Sequence, residues 1–109
     1  MLRRQERIIF SYESMAGITG KMLAAAHAAN WDSLVTLEAE CAAQVANLRR
    51  DEAKAALSAS QRQQKAALIV QMLADDGAIR PLVAARMTHL SNQIHSTGTE
   101  RKLSRAYGQ

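Results

Sequence analysis

Cysteine, proline and aromatic residues are almost missing from this chain. Its 109 residues include one Cys, one Pro, one Trp, one Phe and two Tyr. A lone Cys41 rules out an intrachain disulfide, and nothing in cysteine usage points to an oxidising compartment. β-branched and aromatic residues are scarce, so strands have little to build from. No apolar run approaches the roughly 20 residues of a membrane span. Ile8-Ile9-Phe10, preceded by Arg3, Arg4, Glu6 and Arg7, is too short to be the apolar part of a signal peptide. These absences predict a cytoplasmic, soluble chain. Gly17, Gly20, Gly77, Gly98 and Gly108 are scattered, so no glycine-rich phosphate loop is present.

What is abundant is alanine, with Leu, Met, Gln, Glu, Lys and Arg supplying most of the rest. All are good helix formers, and the fold class is all-α. The length fits one domain that buries about two thirds of its unfolded surface. That is enough for a modest core and too little for a core plus a deep enclosed active site. The net charge is +4, and its distribution matters more than its size. Residues 80–109 carry Arg80, Arg86, Arg101, Lys102 and Arg105 against Glu100, whereas residues 31–48 carry Asp32, Glu38 and Glu40 with no Lys or Arg. A basic end and an acidic middle can attract one another or face different partners.

Periodicity predicts four helices. The first runs from about Glu6 to Ala29, with Ile8, Tyr12, Met15, Thr19, Met22 and Ala26 as a seam spaced alternately by four and three. Gly17 and Gly20 lie inside it and mark either a close helix approach or a weak point. Asn30 either ends that helix or caps the next. The second starts at Trp31-Asp32, with Asp32 at the positive end of the helix dipole, and extends to about Leu57. Its stripe is Trp31, Leu34, Leu37, Cys41, Val45 and Leu48. Ser58-Ala59-Ser60 reads as a loop with Ser60 as the cap of a third helix, Gln61 to Asp75, whose apolar positions are Leu68, Ile69, Met72 and Leu73. Asp76-Gly77 reads as a turn, and Pro81 as the first turn of a fourth helix carrying Val83, Met87, Leu90 and Ile94. After Ile94 that face becomes Thr97, Arg101 and Ser104, which predicts a frayed or displaced end. Short connections make the neighbours antiparallel.

The residues offer little chemistry. His89 and His95 are six apart and fall on different helix faces, so neither they nor His27 suggests a metal site. Cys41 sits on an apolar stripe with no base beside it and reads as a small buried hydrophobe. Glu38 and Glu40 point to different sides of their helix, and Asp75-Asp76 closes a helix at a turn. No catalytic group, metal or cofactor is expected. Trp31 reads first as a core anchor between the first two helices and second as a binding hot spot. Tyr107 differs from both, because no apolar face surrounds it.

Two blocks carry a resemblance. The first is Ala28-Ala29-Asn30-Trp31-Asp32-Ser33-Leu34-Val35-Thr36-Leu37-Glu38. The second is Ile69-Val70-Gln71-Met72-Leu73-Ala74-Asp75-Asp76, followed by Ile79-Arg80, Leu90 and Ala106-Tyr107-Gly108. In order and spacing, from about Tyr12 to Gly108, the chain resembles the flagellar export chaperones of the FliT type. The resemblance implies an antiparallel bundle of four helices. Residues 1–97 would form the bundle core and residues 98–109 a mobile C-terminal docking segment. It implies a client, the C-terminal part of the flagellar filament-cap protein, held in an apolar groove and kept from premature assembly. It also implies delivery to the membrane export gate, with Tyr107 of the Ala-Tyr-Gly motif helping to dock. Some relatives bind the export ATPase or the flagellar master transcription regulator. The chain stops at Gln109, where some relatives carry a further tail.

On this basis the expected client groove is Leu34, Leu37, Val45, Leu68, Ile69 and Met72. The expected gate-docking group is Arg101, Lys102, Arg105 and Tyr107. Helix-in-groove capture suits an amphipathic client, and methionines adapt to such surfaces. The partially covering last helix would lower apparent client affinity. The oligomeric expectation is a monomer or weak homodimer, with no membrane insertion and no direct nucleic-acid contact. Two other readings remain: a regulatory protein binding a transcription regulator or nucleic acid through its basic C-terminus, and a coiled-coil oligomer built on the first helix.

Overall fold

The computed structural model describes the backbone of residues 3–107 and the side chains of residues 3–95. Among these residues all regular structure is helical: α1 (Arg4–His27), α2 (Trp31–Glu52) and α3 (Ala59–Tyr107). By their internal contacts the residues divide into two units, Met1–Ile79 and Arg80–Gln109.

The first unit holds α1, α2 and the N-terminal part of α3. Arg4 lies against the Lys54 carbonyl, Tyr12 against Glu52 and Ser14 against Gln44, so α2 runs antiparallel to α1. Tyr12 neighbours Lys65 and Thr19 reaches Asp75, so α3 returns in the direction of α1. The seam of α1 supplies most of the core. Ile8, Tyr12, Met15, Thr19 and Ala26 are buried, and Ile9, Ala16, Ile18 and Ala25 widen the stripe. Ile8, Tyr12 and Met15 cluster with Leu48 of α2, and Val45, Ala55, Leu57, Leu68, Ile69 and Met72 pack around them. Ile8 has no exposed surface, so truncating it to Ala costs about 2–5 kcal/mol.

Two local motifs fix the connections. After α1 the Ala28 amide donates to the Ala24 carbonyl, Ala29 to Ala26 at 3.1 Å and Asn30 to Ala25 at 2.8 Å. Ala29 has φ 56°. This is a Schellman ending with alanine in the left-handed position that glycine usually fills. Asn30, left open in the sequence as an end or a start, is the N-cap of α2, its side-chain oxygen accepting from the Ser33 amide at 3.3 Å. Before α3 the Gln61 amide donates to the Ser58 hydroxyl at 3.1 Å and the Ser58 amide to Gln61 Oε1 at 3.0 Å. This reciprocal capping box satisfies two donors that a helix start would otherwise leave open.

The structure corrects the sequence reading in three places. Ser58, not Ser60, caps α3: its hydroxyl and amide exchange hydrogen bonds with Gln61, and Ser60 already lies inside the helix, which starts at Ala59. α2 ends at Glu52 rather than near Leu57, because Ala55 and Leu57 turn back onto the core and the Arg62 guanidinium holds the Leu57 carbonyl at 2.9 Å.

The third correction concerns helix number: there are three helices among the described residues, not four. Asp76-Gly77 is not a turn. No described glycine has a positive φ, so Gly77 lacks the left-handed conformation such a turn needs. Pro81 therefore sits inside α3 instead of opening a fourth helix. It brings no amide, so the Gly77 carbonyl has no intrahelical partner four residues on. The unit boundary, between Ile79 and Arg80, falls between these two residues. In the second unit Met87 and Ile94, read as core positions of the extra helix, are exposed.

Candidate functional site

The six expected groove residues separate into two groups. Val45 of α2 and Leu68, Ile69 and Met72 of α3 are brought together, half-buried, against the cluster of Ile8, Tyr12, Met15 and Leu48. Leu34 is buried and Leu37 half-buried, and neither belongs to that cluster. Most of this set is thus the wall of the bundle, with only part of each side chain open to a visitor.

The apolar surface that is open lies one residue further around α3. Val70 is 66 % and Leu73 64 % exposed. With exposed Ala66 and Gly77 they recur at three- and four-residue intervals, forming a stripe beside the half-buried Ile69 and Met72. On α2, Val35 is exposed with Ala39, Ala42 and Ala46 on the same side. The sequence reading named Leu73 an apolar position of the third helix but left it out of the groove, and gave Val70 and Val35 no role in binding. The available signal was the width of the apolar arc: six successive residues, Ala66 to Gln71, hold five apolar ones, more than a three-helix core can cover.

Polar contacts hold the three helices beside that stripe. The Tyr12 hydroxyl donates to Glu52 Oε1 at 2.6 Å, and Lys65 Nζ meets Glu52 Oε2 at 2.7 Å. Lys65 Nζ also stands 5.3 Å from the centre of the Tyr12 ring, within cation–π range. Partial burial and the hydrogen bond to the Glu52 carboxylate push the Tyr12 phenol up. Burial works against ionising Glu52, but the bonds from Lys65 and Tyr12 outweigh it and hold the carboxyl below its usual range. The bond to Glu52 raises Lys65. The Thr19 hydroxyl lies 2.8 Å from Asp75 Oδ2 and 3.0 Å from the Ala16 carbonyl, tying α1 to α3. Gln44 Nε2 donates to Ser14 Oγ at 2.9 Å, tying α2 to α1. No buried polar side-chain atom among the described residues lacks a partner.

Burial and the nearby Glu38 charge raise the Cys41 thiol, which disfavours the thiolate a nucleophile needs. No three His, Cys, Asp or Glu residues are placed to hold a metal ion. A cavity of about 480 Å³ at the start of α1 is lined by Arg3, Gln5, Glu6, Ala56, Leu57, Ser58 and Gln61. No described helix is long and apolar enough to cross a membrane. Arg101, Lys102, Arg105 and Tyr107 lie on the last turns of α3, and their side chains are outside the described residues.

Comparison with known proteins places this arrangement. Flagellar protein FliT from Bordetella bronchiseptica, a solved structure, is 34 % identical, with a TM-score of 0.71 over 79 % of this chain and 97 % of that one. No curated protein matches the chain. The sequence profile described as "Flagellar protein FliT" matches residues 9–109, nearly the whole length, and the chain therefore belongs to the FliT family of flagellar proteins.

Proposed function

We propose that this protein is a cytoplasmic export chaperone of the flagellar type III system. It holds the C-terminal region of the filament-cap protein, prevents its premature assembly and hands it to the export gate. The observation that carries this reading is the exposed Val70–Leu73 stripe on α3, beside half-buried Leu68, Ile69 and Met72, in a member of a flagellar family. A client helix with apolar residues at three- and four-residue spacing finds anchors of matching spacing there. The half-buried side chains form the floor of the surface, and Val70 and Leu73 form its open edge. Arg101, Lys102, Arg105 and Tyr107 are the proposed gate-docking group. The export ATPase and the master transcription regulator are further partners that the family suggests.

Calorimetric titration with the C-terminal segment of the cap protein from the same bacterium tests the proposal. Binding at micromolar or tighter affinity, with the negative heat-capacity change of apolar burial, is expected. Leu73→Asp, at a mostly exposed position, is the informative variant, because Met72→Asp would also strike the core. Leu73→Asp should stay helical and weaken client binding at least tenfold. Normal client binding by a folded Leu73→Asp protein would remove this face from the proposal. Truncation after Thr97 should leave or improve client binding while abolishing gate docking, and Tyr107→Ala should reproduce the docking defect alone.

A further inference from the structure

One end of the first unit is crowded with cations that the fold does not use. Arg3, Arg4 and Arg7 open α1, and Arg49 and Arg50 lie in the last turn of α2. Lys54 follows in the connection, and Arg62 stands at the start of α3. All seven are exposed. The fold brings them to one end, where the Arg4 guanidinium reaches the Lys54 carbonyl at 3.4 Å and Arg3 shares a cavity with Leu57, Ser58 and Gln61. None of the seven meets a carboxylate among the described residues. Arg4 and Arg62 hold backbone carbonyls, which leave their charge uncompensated. Glu6 is the exposed acid among them, Asp51 is half-buried, and Glu52 is answered by Lys65. This placing works against the helices. A helix start favours anions, because its unpaired amides and the macrodipole make that end positive. α1 nevertheless opens on arginines, with no side-chain cap at Arg3, and the first turn of α3 carries no acid. The other end of the same unit has the reverse balance, with Asp32, Glu38 and Glu40 exposed on α2 and Lys21 on α1.

We propose that this basic end adsorbs to an anionic lipid surface. The cations come from separate segments and spread around the end of a bundle, a breadth that suits a plane of charge rather than a point ligand. Clusters of about four to eight Lys and Arg residues are what anionic headgroups attract. The same plane repels the acidic end, so the field turns the unit with its cations toward the lipid. A protein partner would need an apolar core to its interface. The exposed apolar residues Val35, Val70 and Leu73 lie further along their helices, away from the cations. Phe10, 63 % exposed, is the exception, three residues beyond Arg7 and on the same stripe of α1 as Arg3 and Arg7. A lone ring beside cations suits the headgroup level of a bilayer. Duplex DNA is the other broad polyanion, but its grooves are read by an inserted helix or ribbon, and this end turns helix termini and a connection outward. The contact is peripheral, made by side chains of the folded bundle.

Vesicle co-sedimentation of the full chain without any client tests this independently of the chaperone reading. Binding is expected to vesicles of phosphatidylcholine mixed with phosphatidylglycerol and not to phosphatidylcholine alone, and it should fade as salt is raised. Each cation near the surface is worth about fivefold in affinity, so Arg3→Ala with Arg7→Ala should weaken binding at least about tenfold. Circular dichroism of that variant should match the parent, since both side chains are exposed and unpaired. Glu6→Gln should tighten binding, and Glu38→Gln, at the acidic end, should leave it within twofold or so of the parent. Equal binding to both vesicles overturns the inference. So does parental binding by the folded double arginine variant, which would move the contact to the basic C-terminal residues. Tighter binding to poly-glutamate or to duplex DNA than to the mixed vesicles, at equal salt, overturns it in favour of those partners. Unchanged vesicle binding by Phe10→Ala removes the ring from the contact.

Discussion

Replacing Ala29 with glycine should make this protein more stable. The Ala29 backbone has φ 56°, in the left-handed region. An L-residue pays about 1–2 kcal/mol there, because its Cβ crowds the following carbonyl oxygen. Glycine has no Cβ and escapes that penalty. It also enlarges the unfolded ensemble, which gives back about 0.4–1 kcal/mol. The difference is a gain of about 0.5–1 kcal/mol. Nothing else need change, since Ala29 is exposed and its amide bond to Ala26 and the Asn30 bond to Ala25 are made by backbone alone. For a chain of this size that is an increase in Tm of about 2–8 °C. Thermal unfolding followed by circular dichroism, supported by urea midpoints at unchanged slope, measures it. Ala29→Val serves as the opposite control, because a branched side chain tolerates this conformation worst and should lower Tm. A glycine variant no more stable than the parent would show that the turn is not strained, and that the Schellman ending is held by something other than its backbone bonds.

The remaining expectations concern the interhelical polar contacts and the interior proline. Glu52 titrates below its usual range in the folded protein, so its contribution is present above the unfolded carboxylate pKa and is lost as pH falls through the depressed folded value. Lys65 and Tyr12 are both raised, so theirs is present below their ordinary values and is lost as pH rises through the folded ones. Stability should therefore be flat at neutral pH and fall at both ends. Glu52→Gln should lower the plateau by about 1 kcal/mol, since the ion pair is part-exposed, and flatten both limbs. Equal pH dependence in parent and variant would show that these shifts arise elsewhere. Pro81→Ala restores an amide donor inside α3, and should raise helix content and thermal stability. A loss of stability would mean that the ring packs in a way that outweighs the missing bond.

How much could be read in advance depended on which physical rule was in force. The α1 seam was largely legible, because Ile8, Tyr12, Met15, Thr19, Met22 and Ala26 obey a helical spacing, and all are buried except Met22, which is half-buried. Trp31-Asp32 as the start of α2 was legible through cap chemistry. Ala29 was not, since alanine gives no sign that it will take a positive φ. The helix count failed at Gly77 and Pro81, because glycine four residues before a proline reads equally well as a break and a restart or as a helix with one bond missing. The site failed for another reason. Periodicity gives the direction a side chain takes and not the depth of what covers it, so Ile69 and Met72 could be aimed correctly while Val70 and Leu73, one step around the helix, were not recognised as the open edge.

The absent amide at Pro81 also sets the order in which α3 comes apart. A helix unzips from its end by breaking one backbone bond at a time, each resisting by a similar amount. When the front reaches Pro81 it finds no bond to break, and fixing that turn again recovers less than fixing any other. Residues 82–107 can therefore melt and re-form as one stage while residues 59–77, anchored through Leu68, Ile69, Met72 and the Thr19–Asp75 contact, keep their register. Amide hydrogen exchange along α3 would appear as a step rather than a slope, with the fast side beginning at the proline. The end of the helix proposed to dock at the export gate could then be remodelled by a partner without disturbing the stripe proposed to hold the client.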